Sequence, residues 1–287
     1  MVGKNYIGVV AFNNPEEIKR LAEGIARFKA LDGDWTFVIL DHSNLIDSRD
    51  AISAFCKRRN WIYIQQENRG FGAGVNTIAR TLNLHDTLLM CNPDLDVVGV
   101  PPFQKMFDCI STEEYDLIGT TIRDRFGQAC AGPLPQFGLR MVAYDYTSLP
   151  RQFKQKSSIG KAGIWYGAVH GACFAMNVGK FLSVEGFDEN LFMYGEEFDL
   201  NHKFQSCHYT VGFLPSDSLN HESEGNLDIR RELLNLYNLR YLAKTRGKYL
   251  LFIYFSIRYC LKVFSTKNTD LRKTLFWTNI DRKRFLQ

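Results

Sequence analysis

Short apolar runs, each followed by a stretch of helical periodicity, open the chain and leave little choice of architecture. The runs are "YIGVVAF" (6–12), "TFVIL" (36–40), "WIYI" (61–64) and "TLLMC" (87–91). After the first, Asn14-Pro15-Glu16-Glu17 makes a helix start, with proline in the first turn and acids near the positive end of the dipole. Ile18, Leu21, Ile25 and Phe28 then recur at helical spacing. A second helical stretch begins near Asp47, and "FGAGVNTIARTLNL" reads as a third. Strands alternating with helices of this length predict an α/β fold built on a mostly parallel, doubly wound, twisted sheet flanked by helices.

Such sheets bind ligands beyond the carboxyl ends of their strands. That rule places Asp41, the segment after Ile64 and the pair Asp94/Asp96 on one rim. Residues 98–165 are less regular: "DLIGTTI" and "MVAYDY" read as strands, whereas "GQACAGPLPQFG" and "RQFKQKSSIGKAG" read as loops. A second ordered unit starts at 166 with "YGAVHGACFAMNV" and continues through a short helix, "GFDENLFMYGEEFDLNHKFQ", "TVGFL" and "NHESEG". The expected division is a catalytic-type α/β domain over 1–227 and a helical, basic and aromatic extension over 228–287.

Composition bounds the partners. Hydrophobic residues make up 45% of the 287, enough for a sizeable core, and a net charge of +4 is too mild to imply nucleic acid. Seven cysteines without a CxxC pair predict reduced thiols, and the N-terminus lacks the long apolar core of a secretory signal. Both point to the cytoplasmic side. Residues 244–287 carry eleven Lys/Arg against two Asp, interleaved with aromatics. The run "YLLFIYFSIRYCLKVF" is short for a bilayer and is interrupted by Arg258 and Lys262. It either lies in a membrane interface or packs on the domain with a solvated basic face.

Four segments carry chemistry. Residues i and i+2 of a strand share a side, so Asp94 and Asp96 can converge on a hard cation such as Mg²⁺ or Mn²⁺; alternatively one caps a turn after Pro93. The glycines of "NRGFGAGVN" (68–76) do not fit the dinucleotide fingerprint, yet they permit close backbone approach, and a helix beginning there offers N–H groups to phosphate. An ordinary strand-to-helix turn explains them as well. In "MYGEEFDL" (193–200), helical geometry puts Glu197 on the face of Leu200 and Phe204 while Glu196 and Asp199 lean away. Partial burial would make Glu197 a better base. His221, among polar loop residues, is a candidate nitrogen ligand to the same cation.

Taken in order, Val9-Val10-Ala11-Phe12-Asn13, Asp41, "NRGFGAGVN", "NPDLD", "GACFAMN", "GFDENLFMYGEEFDL" and His221 closely resemble the inverting family-2 glycosyltransferases with the GT-A (Rossmann-like) fold. Within them the chain looks most like the bacterial rhamnosyltransferase branch, which builds O-antigen, capsule and cell-wall polysaccharides. The resemblance covers about residues 5–225. It implies that Ala11, Phe12, Asn13 and Asp41 hold the base and ribose of the donor, and that Asn68, Gly70, Gly72 and Asn76 line its diphosphate pocket. Asp94 and Asp96 match the metal- and donor-binding DxD motif, with Asp96 the direct ligand and Asp94 free for ribose or sugar. His221 matches the late metal-binding histidine.

Glu197 falls where the family places its base, although a Glu196-Glu197 pair replaces the family's Glu-Asp, so Glu196 and Asp199 stay open as alternatives. Trp165, His170 and Glu196 are expected to face the acceptor. The implied cofactor is Mn²⁺ or Mg²⁺. The implied partners are a nucleotide-sugar donor, dTDP-rhamnose first and UDP-galactofuranose or another UDP-sugar second, a lipid-linked glycan acceptor, and the inner face of the cell membrane through the C-terminal segment. Competing readings are a nucleotidyltransferase, which would need a basic glycine-rich N-terminal signature absent here, and a silent carbohydrate-binding partner of a polysaccharide-assembly complex.

Overall fold

A computed structural model describes residues 3–29, 31, 34–124, 127, 129–131, 137–138, 142, 169–221 and 229–265. The first half alternates as the periodicity predicts: β1 (Asn5–Ala11), α1 (Pro15–Arg27), β2 (Trp35–Asp41), α2 (Ile46–Arg59), β3 (Ile62–Gln65), α3 (Phe71–Arg80) and β4 (Thr87–Cys91). Then come β5 (Leu95–Val97), α4 (Phe103–Ser111), β6 (Leu117–Thr120), β7 (Ile122–Arg123) and β8 (Ala129–Ala131). The second unit contains β9 (Cys173–Asn177), α5 (Val178–Ser183), α6 (Glu196–Ser206), β10 (Val211–Leu214) and β11 (Leu219–His221). Two helices close the described chain, α7 (Ile229–Thr245) and α8 (Tyr249–Ser265).

The main sheet has seven strands in the order β10-β6-β9-β4-β1-β2-β3. Six run in one direction, and β9 alone is antiparallel, to both β4 and β6. Alternation along the strands sorts the apolar side chains into two layers. Leu89 and Cys91 join Ile18, Leu21 and Ile25 of α1, Ile52 of α2 and Phe103 and Met106 of α4. Leu88 and Met90 join Val75 and Ile78 of α3, Phe181 of α5 and Leu200 and Phe204 of α6. With both faces covered, the strands read as continuous apolar runs, as parallel sheets do.

Helix α4 stands where the sequence reading leaves irregular chain. Its Phe103, Met106, Phe107 and Ile110 are buried at i, i+3, i+4 and i+7 and join the layer of α1 and α2. A small second sheet, β5-β11-β7-β8, branches from the end of β4. The strand-like "MVAYDY" lies, apart from Val142, outside the described residues.

Helices α7 and α8 make a third core with Phe137, Leu191 and Phe198. Asn238 of α7 is fully buried, and its Nδ2 donates to the carbonyls of Met193 (2.7 Å) and Tyr194 (2.9 Å). This fastens α7 to the turn that launches α6. No helix among the described residues is long and apolar enough to cross a membrane.

Candidate active site

The chain leaves β4 at Cys91 and turns immediately: the Asn92 amide donates to the Ala172 carbonyl (2.8 Å) and the Leu95 amide to the Asn92 carbonyl (3.3 Å). Asp94 therefore sits in a turn, and only Leu95–Val97 form a strand. In the antiparallel pairing of β5 with β11, His221 stands opposite Leu95 and Asn220 opposite Asp96. That register brings His221 Nε2 to 3.2 Å from Asp94 Oδ1. Asp96, inside β5, instead meets Arg20 Nε of α1 at 3.2 Å. The two aspartates take separate partners because the period-two rule holds within a strand and Asp94 precedes it. Burial opposes the charged form of Asp94, but the His221 hydrogen bond and charge, its loop amide and Arg20 outweigh it and hold the carboxyl below its ordinary value.

Beside this pair lies the entry to β9. The Gly171 amide donates to Glu197 Oε1 (3.2 Å), and the Ala172 amide donates to His170 Nδ1 (3.1 Å). A side chain at position 171 would meet the Glu197 carboxylate, with Oε1 2.9 Å from a built Cβ. His170 is pushed down by burial, raised by the charge of Glu197 and lowered again by that of His221. Asp94, His221, His170 and Glu197 are thus one electrostatic neighbourhood at the carboxyl end of β4.

Helix α6 corrects the expected orientation of its acids. Glu196 is 4% exposed and Asp199 1%, whereas Glu197 keeps partial exposure. The reason is that α6 is covered on two sides: Leu200 and Phe204 face the sheet, and Phe198 faces α7 and α8. An apolar stripe on one side therefore does not leave the other side to water. Asp199 is ion-paired with Arg246 of the α7–α8 turn and with Lys203 Nζ (3.0 Å). Glu196 Oε2 is buried without a hydrogen bond, and burial followed by the charge of Glu197 raises this carboxyl well above its ordinary value. Glu197 is the acid of the three that combines access with a positioning contact.

Several expected donor contacts are turned toward protein. Asp41 is fully buried, with Oδ1 accepting from the Ser43 amide (2.8 Å) and Oδ2 from the Tyr63 hydroxyl (2.9 Å). Asn76, 1% exposed, exchanges hydrogen bonds with both the carbonyl (2.9 Å) and the amide (2.9 Å) of Phe187, and also reaches Glu189. Gly70, at φ +101°, lets the Phe71 amide reach the Phe192 carbonyl (3.0 Å), while its own amide donates to Asn68 Oδ1 (3.0 Å). Gly72 packs against the Phe187 ring. These contacts lock α3 to the 187–192 loop, which takes the Phe71 amide at the start of the helix.

Ala11 ends β1 in the core, Phe12 is 42% exposed, and Asn13 ties its loop to the one after β2 through Ser43, Asn44 and Leu45. Phe12 and the Asn13 turn therefore remain on the rim. Trp165 lies outside the described residues. Sequence reasoning missed Arg20 and Gly171. Arg20 looks like any polar residue of an amphipathic helix, and Gly171 is marked only by following His170 before a strand.

The donors suit a hard divalent cation in kind: a carboxylate and an imidazole converge, and a second carboxylate stands two residues away. Among the described residues no group of three or more His, Cys, Asp or Glu is gathered closely enough to hold a metal, and Asp96 is ion-paired with Arg20.

A mostly parallel sheet with helices on both faces, a reversed strand beside β4 and a polar cluster at the end of β4 define the GT-A glycosyltransferase fold. Among solved structures the chain is similar to GalNAc-T7 crystallised with UDP, GalNAc and Mn²⁺ (TM-score 0.55, 15% identity, 81% of this chain and 47% of that one). It is also similar to TarS of S. aureus, at TM-score 0.54 and 11% identity over 99% of this chain and 47% of that one. A TarS fragment, residues 1–349, aligns at TM-score 0.53 and 11% identity over 94% of this chain and 68% of the fragment. Among curated proteins it is 23% identical over 210 residues to the low-salt glycan biosynthesis hexosyltransferase Agl10 of Haloferax volcanii, covering 71% of this chain. The chain spans 62% of the length of that relative and about half (47%) of GalNAc-T7 and of TarS. No family model matches the chain.

Proposed function

We propose that the chain is a glycosyltransferase that moves a sugar from a nucleoside-diphosphate donor to a hydroxyl of a glycan with inversion, in the manner of the family-2 enzymes. The observation that carries this reading is the cluster of Asp94, His221, His170 and Glu197 at the carboxyl end of β4 in a GT-A sheet. The hexosyltransferase named among its relatives supports the same chemistry.

Glu197, oriented by the Gly171 amide, takes the proton from the acceptor hydroxyl as its oxygen attacks the anomeric carbon. The bond from that carbon to the diphosphate oxygen breaks on the opposite face, and the nucleoside diphosphate leaves. One displacement inverts the centre without a covalent enzyme intermediate. His170 accepts a hydrogen bond at Nδ1, so its neutral ring carries the proton on Nε2 and offers a donor to the acceptor sugar. Burial, followed by the charge of Glu197, raises the Glu196 carboxyl well above its ordinary value, which favours Glu197 over Glu196 as the ionised acid.

Asp94 and His221, with Asp96 two residues on, are the residues that would hold a Mn²⁺ or Mg²⁺. Such a cation, when bound, offsets charge on the leaving diphosphate. The donor is dTDP-rhamnose in the first instance, with a UDP-sugar second, and the acceptor is a lipid-linked glycan at the inner face of the membrane. The polymers made in this way are O-antigen- or capsule-like surface polysaccharides.

The test is nucleotide release from a panel of dTDP- and UDP-sugars with Mn²⁺ or Mg²⁺, together with donor binding by calorimetry. Release from one donor is expected. Failure to bind any nucleotide-sugar, with or without metal, overturns the reading.

A further inference from the structure

Helix α8 carries two apolar stripes. Leu251, Phe255, Tyr259 and Val263 are buried against α7. On the other side Leu250, Ile253, Ile257 and Leu261 recur at i, i+3, i+7 and i+11 and are 71, 53, 56 and 64% exposed. One helix with a second, outward stripe of branched aliphatic residues forms a contiguous patch of the kind that marks an interaction surface.

Charge decides what covers it. Residues 249–265 contain no acidic residue, and the surrounding segment 244–287 is strongly basic. Two copies laid stripe to stripe would bring two acid-free basic helices together, whereas an anionic surface complements them. At 17 residues α8 is about 26 Å long, short of a bilayer's hydrocarbon core, and Arg258 and Lys262 interrupt it. Its geometry is that of a helix lying in the plane of a headgroup region with its apolar stripe down. Lys262 is ion-paired with Glu232 of α7, and the basic excess comes from the segment around the helix.

We infer that the outward stripe Leu250–Ile253–Ile257–Leu261 of α8 seats the protein on an anionic lipid bilayer. This deepens the membrane part of the proposed function, on which it rests only for the place of the acceptor. Lipid insertion uses no residue of the cluster around Asp94. Asn238 fastens α7, on which α8 packs, to the turn at Met193–Tyr194 that precedes Glu196 and Glu197.

The experiment is co-sedimentation of the full chain with phosphatidylcholine vesicles, with and without phosphatidylglycerol, at about 0.1 M salt. Binding is expected at least about tenfold tighter with phosphatidylglycerol present. Ile253→Glu/Ile257→Glu should weaken it at least about tenfold with an unchanged melting temperature, and Leu250→Ser/Leu261→Ser should do so with a smaller change in charge. Equal binding by these variants and the parent overturns the inference. So does a stable dimer that the same substitutions dissociate, or protection of α8 side chains from labelling in a monomer that ignores vesicles, which would make residues 266–287 the cover. Nucleotide release in vesicle-free solution is read separately, so loss of lipid binding and failure of the transfer reading are distinguished.

Discussion

His221 Nε2 and Asp94 Oδ1 are 3.2 Å apart, although 127 residues separate them in the chain, because His221 ends the strand that pairs antiparallel with β5. Loss of either group should break a shared function. Asp94→Asn and His221→Ala are each expected to lower kcat/KM for nucleotide release by about 100-fold or more. The double variant should lose little beyond the worse single one, since interacting residues are not additive. Simple multiplication of the two losses would show that the groups act apart.

Glu197 and Asp199 are two residues apart and should fail in different ways. Glu197→Gln is expected to cut turnover by about 100-fold or more while donor affinity and melting temperature hold, if the partly exposed carboxylate is the proposed base. Asp199→Asn removes the buried charge that pairs with half-buried Arg246 and Lys203, a loss of about 1–3 kcal/mol. Denaturant melts of both variants beside kinetics check the assignment. A stable, inactive Asp199→Asn would move the base to Asp199.

Gly171→Ala tests how Glu197 is aimed. The added methyl would lie 2.9 Å from Glu197 Oε1, and the carboxylate must swing away. Turnover is expected to fall about tenfold or more with stability changed by about 1 kcal/mol or less. Normal turnover would mean that the Gly171 contact does not orient the base.

His42 predicts a pH dependence of stability. Its ring is 4% exposed with Nε2 lacking a hydrogen bond, and burial, partly offset by Asp41, lowers it from 6.5 to about 4. The unfolded chain therefore binds this proton first as pH falls. Stability is full above pH 6.5 and declines between 6.5 and about 4, by about 3 kcal/mol at most. Urea melts at pH 7 and pH 4.5 should show a smaller difference in His42→Leu than in the parent. An unchanged difference would assign the acid sensitivity to other groups.

The alternation of strand and helix was legible along the first ninety residues because each element's signal is local. β4 has the bounds its apolar run predicts, and Pro15 marks the start of α1. Helix α4 was missed inside the stretch read as irregular, although its Phe103, Met106, Phe107 and Ile110 recur at helical spacing. The rim position of Asp94 followed from strand direction alone. The pairing of Asp94 with His221 rather than with Asp96 did not, because it depends on the register of β11.

Sequence by itself determined the alternation of strand and helix along the first half and the acids and histidines available for chemistry, since periodicity and residue type are properties of short segments. Tertiary structure alone decided which of those groups are free to act. Burial turned Asp41, Asn76 and Asp199 toward protein partners, inverted the exposures expected of Glu196 and Glu197, and left one stripe of α8 uncovered. Solvation and pairing of a side chain depend on what packs against it from elsewhere in the chain, and no local pattern encodes that neighbour.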